Sequence, residues 1–200
     1  SKGGVHGALK VFHPELVERY GRHVQLERVQ RETNLVGAHH PNLVRILGGG
    51  ACANTGHLFV VMEPLAEKNL QQALQEIPPE NIASIAAQLA SAARFLEDRG
   101  LAHRDIKPCN IHIGRDSNLR ILDLGVGVSL PEEEPSTGNP GTPSYMAPEL
   151  FSGTAAKTGH DLYAAGVTLY HLLTRKYPYG EIEPFQHPRF GEPVAPTRYR

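Results

Sequence analysis

His103-Arg104-Asp105-Ile106-Lys107-Pro108-Cys109-Asn110 is the stretch from which the rest of this 200-residue chain can be read. Its pattern, H-R-D-x-K-x-x-N, fixes five residue types across eight positions, which random sequence meets at roughly one start in 20⁵. Thirteen residues after Asn110, the apolar pair Ile121-Leu122 runs into Asp123-Leu124-Gly125, and Ala147-Pro148-Glu149 follows later. Taken singly, each residue has an ordinary use. Aspartate and asparagine cap turns, and a loop lysine is usually solvated. The order and spacing of the three segments carry the reading.

In that order they resemble the catalytic loop, the metal-binding D-F-G and the A-P-E of eukaryotic-type (Hanks-type) Ser/Thr protein kinases, bacterial members included. The resemblance implies an α+β, two-lobed protein-kinase-like fold with nucleotide held between the lobes. Residues 1–64 would be a partial N-lobe, from the third strand to the hinge. Residues 65–200 would be a partial C-lobe with catalytic loop, activation segment and central helix. The implied cofactors are ATP and Mg²⁺, with Mn²⁺ as a substitute. The implied partner is a protein with a Ser or Thr acceptor, the chain itself included.

Roles carry over residue by residue. Asp105 matches the base that accepts the substrate hydroxyl proton, and Lys107 the cation that meets γ-phosphate charge in flight. Asn110 and Asp123 offer the uncharged and charged oxygens that would hold Mg²⁺. Leu124 stands where the family has Phe, and still supplies an apolar plug. Lys10, in Ala8-Leu9-Lys10-Val11, matches the strand lysine that pairs with the α- and β-phosphates. Its partner on the following helix is Glu32 or Glu27, with Glu32 nearer the family distance from the His40-Pro41 turn. Met62 falls at the gatekeeper position. The Glu63 carbonyl and the Leu65 amide would bind adenine, and Pro64, which lacks an N–H, sits between them where none is needed.

Three further residues have regulatory or scaffold roles by the same resemblance. Arg104 implies a phosphate on the activation segment, with Ser129, Ser136, Thr137 and Thr142 as acceptors. Thr137 and Ser136 rank above Thr142, which the family uses to shape the peptide-binding loop. Asp161 is the buried aspartate that bonds the catalytic-loop backbone. Glu149 normally pairs with an arginine later in the domain, and no matching segment follows here.

Patterning supplies the elements. Residues 8–12 read as a strand, and 15–38 as one helix with Val24, Val29, Leu35 and Val36 on its buried side. Residues 42–47 alternate like a strand that Gly48-Gly49-Gly50 ends, and 58–62 form a buried strand. A short helix is expected over 69–76. A longer one follows Pro78-Pro79, with Ile82, Ile85, Ala86, Leu89, Ala93 and Leu96 at helical spacing and Gly100 as its C-cap. Residues 119–122 read as a strand, 125–145 as a Gly/Pro/Ser/Thr-rich loop and 161–173 as a buried helix. No internal repeat is apparent.

The family's glycine-rich loop lies about twenty residues before the strand lysine, and only nine residues precede Lys10 here. Gly3-Gly4-Val5-His6-Gly7 is too close to Lys10 for that role and reads as a turn between strands. The chain therefore reads as the middle of a kinase domain, expected to be unstable or nearly inactive when isolated. Residues 178–191 resemble bacterial proteins that fuse a PP2C-type phosphatase to a C-terminal kinase.

Composition bounds the alternatives. Hydrophobic residues at 40% are enough for a core, and a net charge of −1 gives no electrostatic case for nucleic acid or an anionic membrane surface. The longest apolar run is too short to span a bilayer. Cys52 and Cys109 sit in unlike contexts, which fits a reducing cytosol rather than a disulfide framework. Two competing readings are a non-catalytic pseudokinase scaffold and a small-molecule kinase of related fold. The intact Lys10, Asp105, Asn110 and Asp123 weigh against the first. The Gly-Thr-x-x-Tyr-Met-Ala-Pro-Glu segment weighs against the second.

Overall fold

The computed structural model describes residues 6–65, 68–114, 118–124, 128–129, 142–153, 158–183 and 186–199. Strand β1 (Ala8–Val11) is the first element, and it alternates between half-buried and exposed positions. Two helices follow, α1 (Pro14–Tyr20) and α2 (Arg22–Thr33). The single helix expected over 15–38 is thus broken at Gly21, whose φ of 84° lies in the left-handed region that glycine tolerates. The buried face of α2 is Gln25, Val29 and Glu32. Val36 lies beyond the helix end and is exposed, while Leu35 is buried. Apolar periodicity failed here because two of the three inward residues are polar.

Strands β2 (Ile46–Ala51) and β3 (Leu58–Met62) complete an antiparallel sheet in the order β1-β3-β2. The glycines expected to end β2 lie inside it, with a register shift between Ile46 and Gly48. Gly49 has a steric reason: a Cβ there would stand 2.8 Å from the Phe59 carbonyl oxygen and 2.8 Å from Thr33 Cγ2. The β3 backbone and the Thr33 side chain at the end of α2 both close on the strand at this point. Gly49→Ala should therefore cost about 1–3 kcal/mol, read as a lower urea midpoint at unchanged m-value. An unchanged midpoint would show that the α2–sheet gap can open freely.

Residues 42–44, expected as the start of a strand, instead run beside β6 (Leu119–Ile121). The Val44 amide donates to the Ile121 carbonyl (3.0 Å), and the Ile121 amide to the Asn42 carbonyl (3.0 Å). Buried Asn42 also donates from Nδ2 to Gln88 Oε1 (2.7 Å), which accepts from the Leu119 amide (2.8 Å). These bonds tie the sheet half of the molecule to the helical half directly above the segment that ends in Asp123.

Residues 69–76 form turns rather than the expected helix. The Asn69 side chain accepts the Gln72 amide (2.9 Å), a local bond that competes with helical pairing. Helix α3 (Ile82–Glu97) follows a 3₁₀ turn at Pro79–Asn81, and buries Ile85, Leu89, Ala92, Ala93 and Leu96. Its C-cap is Asp98, and Gly100 (φ 65°) follows with its amide on the Glu97 carbonyl (2.8 Å). Short strands β4 (Leu101–Ala102) and β7 (Val128–Ser129) pair, as do β5 (Ile111–Ile113) and β6. Helix α4 (Thr158–Thr174) starts three residues before the expected position. It packs on α3 around Ala164, Ala165, Val167 and Leu172. Among the described residues no helix is long and apolar enough to cross a membrane.

Late in α4, buried His171 stacks on Tyr177 (centroids 4.7 Å apart, 22° between planes), and its Nδ1 lies 3.3 Å from the Lys176 carbonyl. Burial holds its pKa below the ordinary value, and Arg175 adds to that. Burial does the same for His40. On acidification the unfolded chain takes up these protons first, so stability present above the ordinary histidine range is lost as pH falls through it. The melting temperature should drop between about pH 7 and pH 5, and His171→Phe should flatten that slope. An unaltered slope would place the acid sensitivity elsewhere.

Candidate active site

Lys10 faces the same side of the sheet as Met62, because β1 and β3 pair Lys10 with Val60 and Ala8 with Met62. From that face its ammonium reaches two carboxylates that are distant in sequence. Lys10 Nζ lies 2.7 Å from Glu32 Oε1 and 2.5 Å from Asp123 Oδ1. Glu27, the alternative, is exposed and lies 3.5 Å from Arg31 Nη2. The position of Glu32 follows from α2: it is one turn past Val29 on the face packed against the sheet. Burial opposes the charge on Lys10, but Asp123 and Glu32 outweigh it and hold the ammonium above its ordinary pKa. Burial pushes Glu32 up, with Lys10 pulling against it. Glu32 Oε2 is buried with no hydrogen-bond partner among the described residues.

Asp123 leaves β6 with a φ of 69°, a left-handed backbone that turns the chain sharply beneath Lys10. Its neighbour Leu122 couples it to the 103–110 loop. The Leu122 amide donates to the Asn110 carbonyl (2.8 Å), and its carbonyl lies 2.8 Å from His103 Nε2. The other ring nitrogen, His103 Nδ1, accepts the Asp105 amide (3.2 Å). His103 thus donates at one nitrogen and accepts at the other, bridging the two carboxylate-bearing segments from a fully buried position. Sequence reading quoted this histidine without giving it a task. Its place directly before Arg104-Asp105 was the available signal.

Within the loop, Asp105 Oδ2 lies 2.8 Å from Lys107 Nζ and accepts Asn110 Nδ2 at 2.8 Å. Asn110 Nδ2 also donates to the Asp105 carbonyl (2.9 Å). Thr142 closes the group: Lys107 Nζ donates to its Oγ1 (2.6 Å), which donates to Asp105 Oδ1 (3.3 Å). Beneath, Asp161 Oδ2 and Oδ1 accept the backbone amides of His103 (2.7 Å) and Arg104 (2.8 Å). These bonds hold Arg104 at a φ of 68°. Burial raises the Asp161 pKa, against the pull of His103, the two amides and His160.

The remaining sequence-predicted residues make other contacts. Met62 is buried at the end of β3. The Glu63 amide donates to the Arg45 carbonyl (2.9 Å), and its carboxylate accepts the Arg45 amide (3.0 Å). Leu65 packs at the edge of the main core. Ser136 and Thr137 lie outside the described residues, as does Gly125. Glu149, expected to seek an arginine, has its Oε1 3.1 Å from His160 Nε2.

A model of the protein kinase domain matches residues 3–189. The chain is 33% identical to the serine/threonine-protein kinase pkn2 of Myxococcus xanthus, over 86% of this chain and 21% of that protein. It is 32% identical to a probable LIM domain-containing serine/threonine-protein kinase of Dictyostelium discoideum, over 90% of this chain and 28% of that one. Against the serine/threonine-protein kinase PknB of Mycobacterium leprae identity is 27%, over 96% of this chain and 32% of the relative. The chain spans less than a third of each of these relatives.

Proposed function

The chain belongs to the protein kinase family, and on that premise we propose that it serves an ATP-dependent protein Ser/Thr kinase, with Mg²⁺ as the metal. The observation that carries this reading is the meeting of Lys10, Glu32 and Asp123 across 22 and 113 residues of chain. An ammonium held charged between two carboxylates is placed to trade Asp123 for phosphate oxygens, while Glu32 keeps it aimed.

The donor set fits a hard divalent cation. Asp123 supplies a carboxylate, and Asn110, its Nδ2 committed to Asp105, offers an amide oxygen that meets only the weak Cys109 thiol donor at 3.8 Å. Among the described residues there is no group of three or more His, Cys, Asp or Glu placed to hold a metal ion by itself, so phosphates and water would complete the coordination. Bound there, the metal supplies charge neutralisation at the phosphates. Asp105 takes the hydroxyl proton of a Ser or Thr side chain, its carboxylate aimed by Lys107, Asn110 and Thr142. Glu63 and Leu65 present backbone groups to adenine beside Met62. The lobe boundary is proposed at residues 64 and 65, and the setting as the cytoplasm, with autophosphorylation among the activities. A PP2C-type phosphatase in the same polypeptide extends the proposal, and the coding sequence upstream of this segment tests it.

ATP with Mg²⁺ at a hundredfold excess over Kd should stabilise the protein by about 2.7 kcal/mol. That corresponds to a rise in Tm of roughly 5–10 °C. Asp123→Asn should remove most of the Mg²⁺-dependent part. No rise at millimolar nucleotide, whatever the metal, would count against the reading.

A further inference from the structure

The contacts around Asp105 close into a ring through the first turn of α4. At one end of the 142–152 segment, Thr142 bonds Lys107 and Asp105. At the other, Glu149 Oε1 lies 3.1 Å from His160 Nε2. His160 is 4% exposed, and the next residue, Asp161, holds the backbone amides of His103 and Arg104. Between the two ends, Met146, Ala147 and Leu150 are buried, and Tyr163, one turn along α4 from His160, packs against them. A single helical turn therefore grips both the loop that carries the base and the far end of the segment that touches it. Buried imidazoles need partners, and the Glu149 carboxylate, eleven residues earlier in the chain, is a strong acceptor for this one.

We propose that His160 is a positioning residue for the protein substrate: by anchoring Glu149 it holds the 142–152 segment in register with Asp105, and so sets the affinity for the acceptor polypeptide. This rests on the phosphotransfer reading above. The nucleotide group is tied in by other elements, β1, α2 and β6, so loosening the anchor leaves Lys10, Glu32 and Asp123 in place.

The test uses His160→Ala, His160→Gln and Glu149→Ala in the full-length protein, with two readouts. Amide hydrogen exchange should quicken over residues 142–153 in His160→Ala, with strands β1–β3 unchanged. The KM for a protein substrate should rise about tenfold, with the KM for ATP near the wild-type value and kcat lowered by less than KM is raised, since Thr142 also touches Asp105. His160→Gln, which keeps a side-chain N–H donor, should restore both. In a Glu149→Ala background His160→Ala should add little, because the two act as one contact. Exchange that stays slow over 142–153, or that quickens equally in β1–β3, would overturn the anchor. A loss carried by kcat alone, or one that Gln does not rescue, would overturn the substrate role. If the wild-type protein transfers no phosphate, the kinase reading and the substrate role both fall, and exchange alone decides the anchor.

Discussion

Asp105→Asn is expected to lower kcat by about 10²–10⁴-fold while leaving the nucleotide-induced rise in Tm intact. The substitution keeps the shape of the side chain and removes its capacity to take a proton. Asp105 is well suited to show that difference. Both oxygens are already engaged, one by Lys107 and Asn110 and the other by Thr142, so an amide can sit in the same frame. Asp105 also lies apart from the Lys10–Glu32–Asp123 group, to which it connects through His103 and Leu122. Nucleotide binding and proton transfer are therefore separable. A variant that retained kcat within about tenfold, a difference of ~1.4 kcal/mol, would remove Asp105 from the role of base.

The second large effect is on stability. Lys10→Met should destabilise the fold by about 3 kcal/mol, the lower end of the range for breaking a buried pair. The lower end applies because the lysine side chain is 29% exposed while that of Glu32 is 1% exposed. What costs is the carboxylate left behind: Glu32 would be buried beside Val29 with neither oxygen paired to Lys10. In a domain of this size the loss corresponds to roughly 6–12 °C in Tm. Replacing Glu32 by Leu in the same background should recover most of it, since the two residues are directly coupled. Calorimetry of the single and double variants decides the point. If the double variant melts no higher than Lys10→Met, the penalty does not come from the stranded carboxylate.

The 103–110 loop was legible because its information is local. Eight consecutive residues carry Asp105, Lys107 and Asn110, and the bonds among these three close within that stretch. Strand β3 and helix α3 were legible for the same reason, since their apolar residues follow one period and face one core. Helix α2 was read less well. Its inward face holds Gln25 and Glu32, and a buried polar residue carries no hydrophobic signal. The choice between Glu27 and Glu32 could not come from periodicity, because it depends on which turn of α2 meets the sheet.

Strand β2 failed for a different physical reason. Three glycines in a row signal a strand end when local conformational freedom is weighed alone. Here Gly49 is required by the close approach of Phe59 and Thr33, a contact between elements that sequence does not display. The His160–Glu149 pair was likewise unreadable. It depends on how the 3₁₀ turn at Pro148–Ser152 seats against α4, and a lone histidine before an aspartate has no distinguishing pattern.

The most direct test of the central claim is transfer of the γ-phosphate from labelled ATP by the full-length protein, followed by analysis of the phosphorylated amino acids. A generic basic protein and the chain itself serve as acceptors, with Mg²⁺ present and Asp105→Asn run alongside. The account predicts label on phosphoserine and phosphothreonine that disappears in the variant. Folded, nucleotide-binding protein that yields no label on any acceptor, or label that persists in Asp105→Asn, would contradict it.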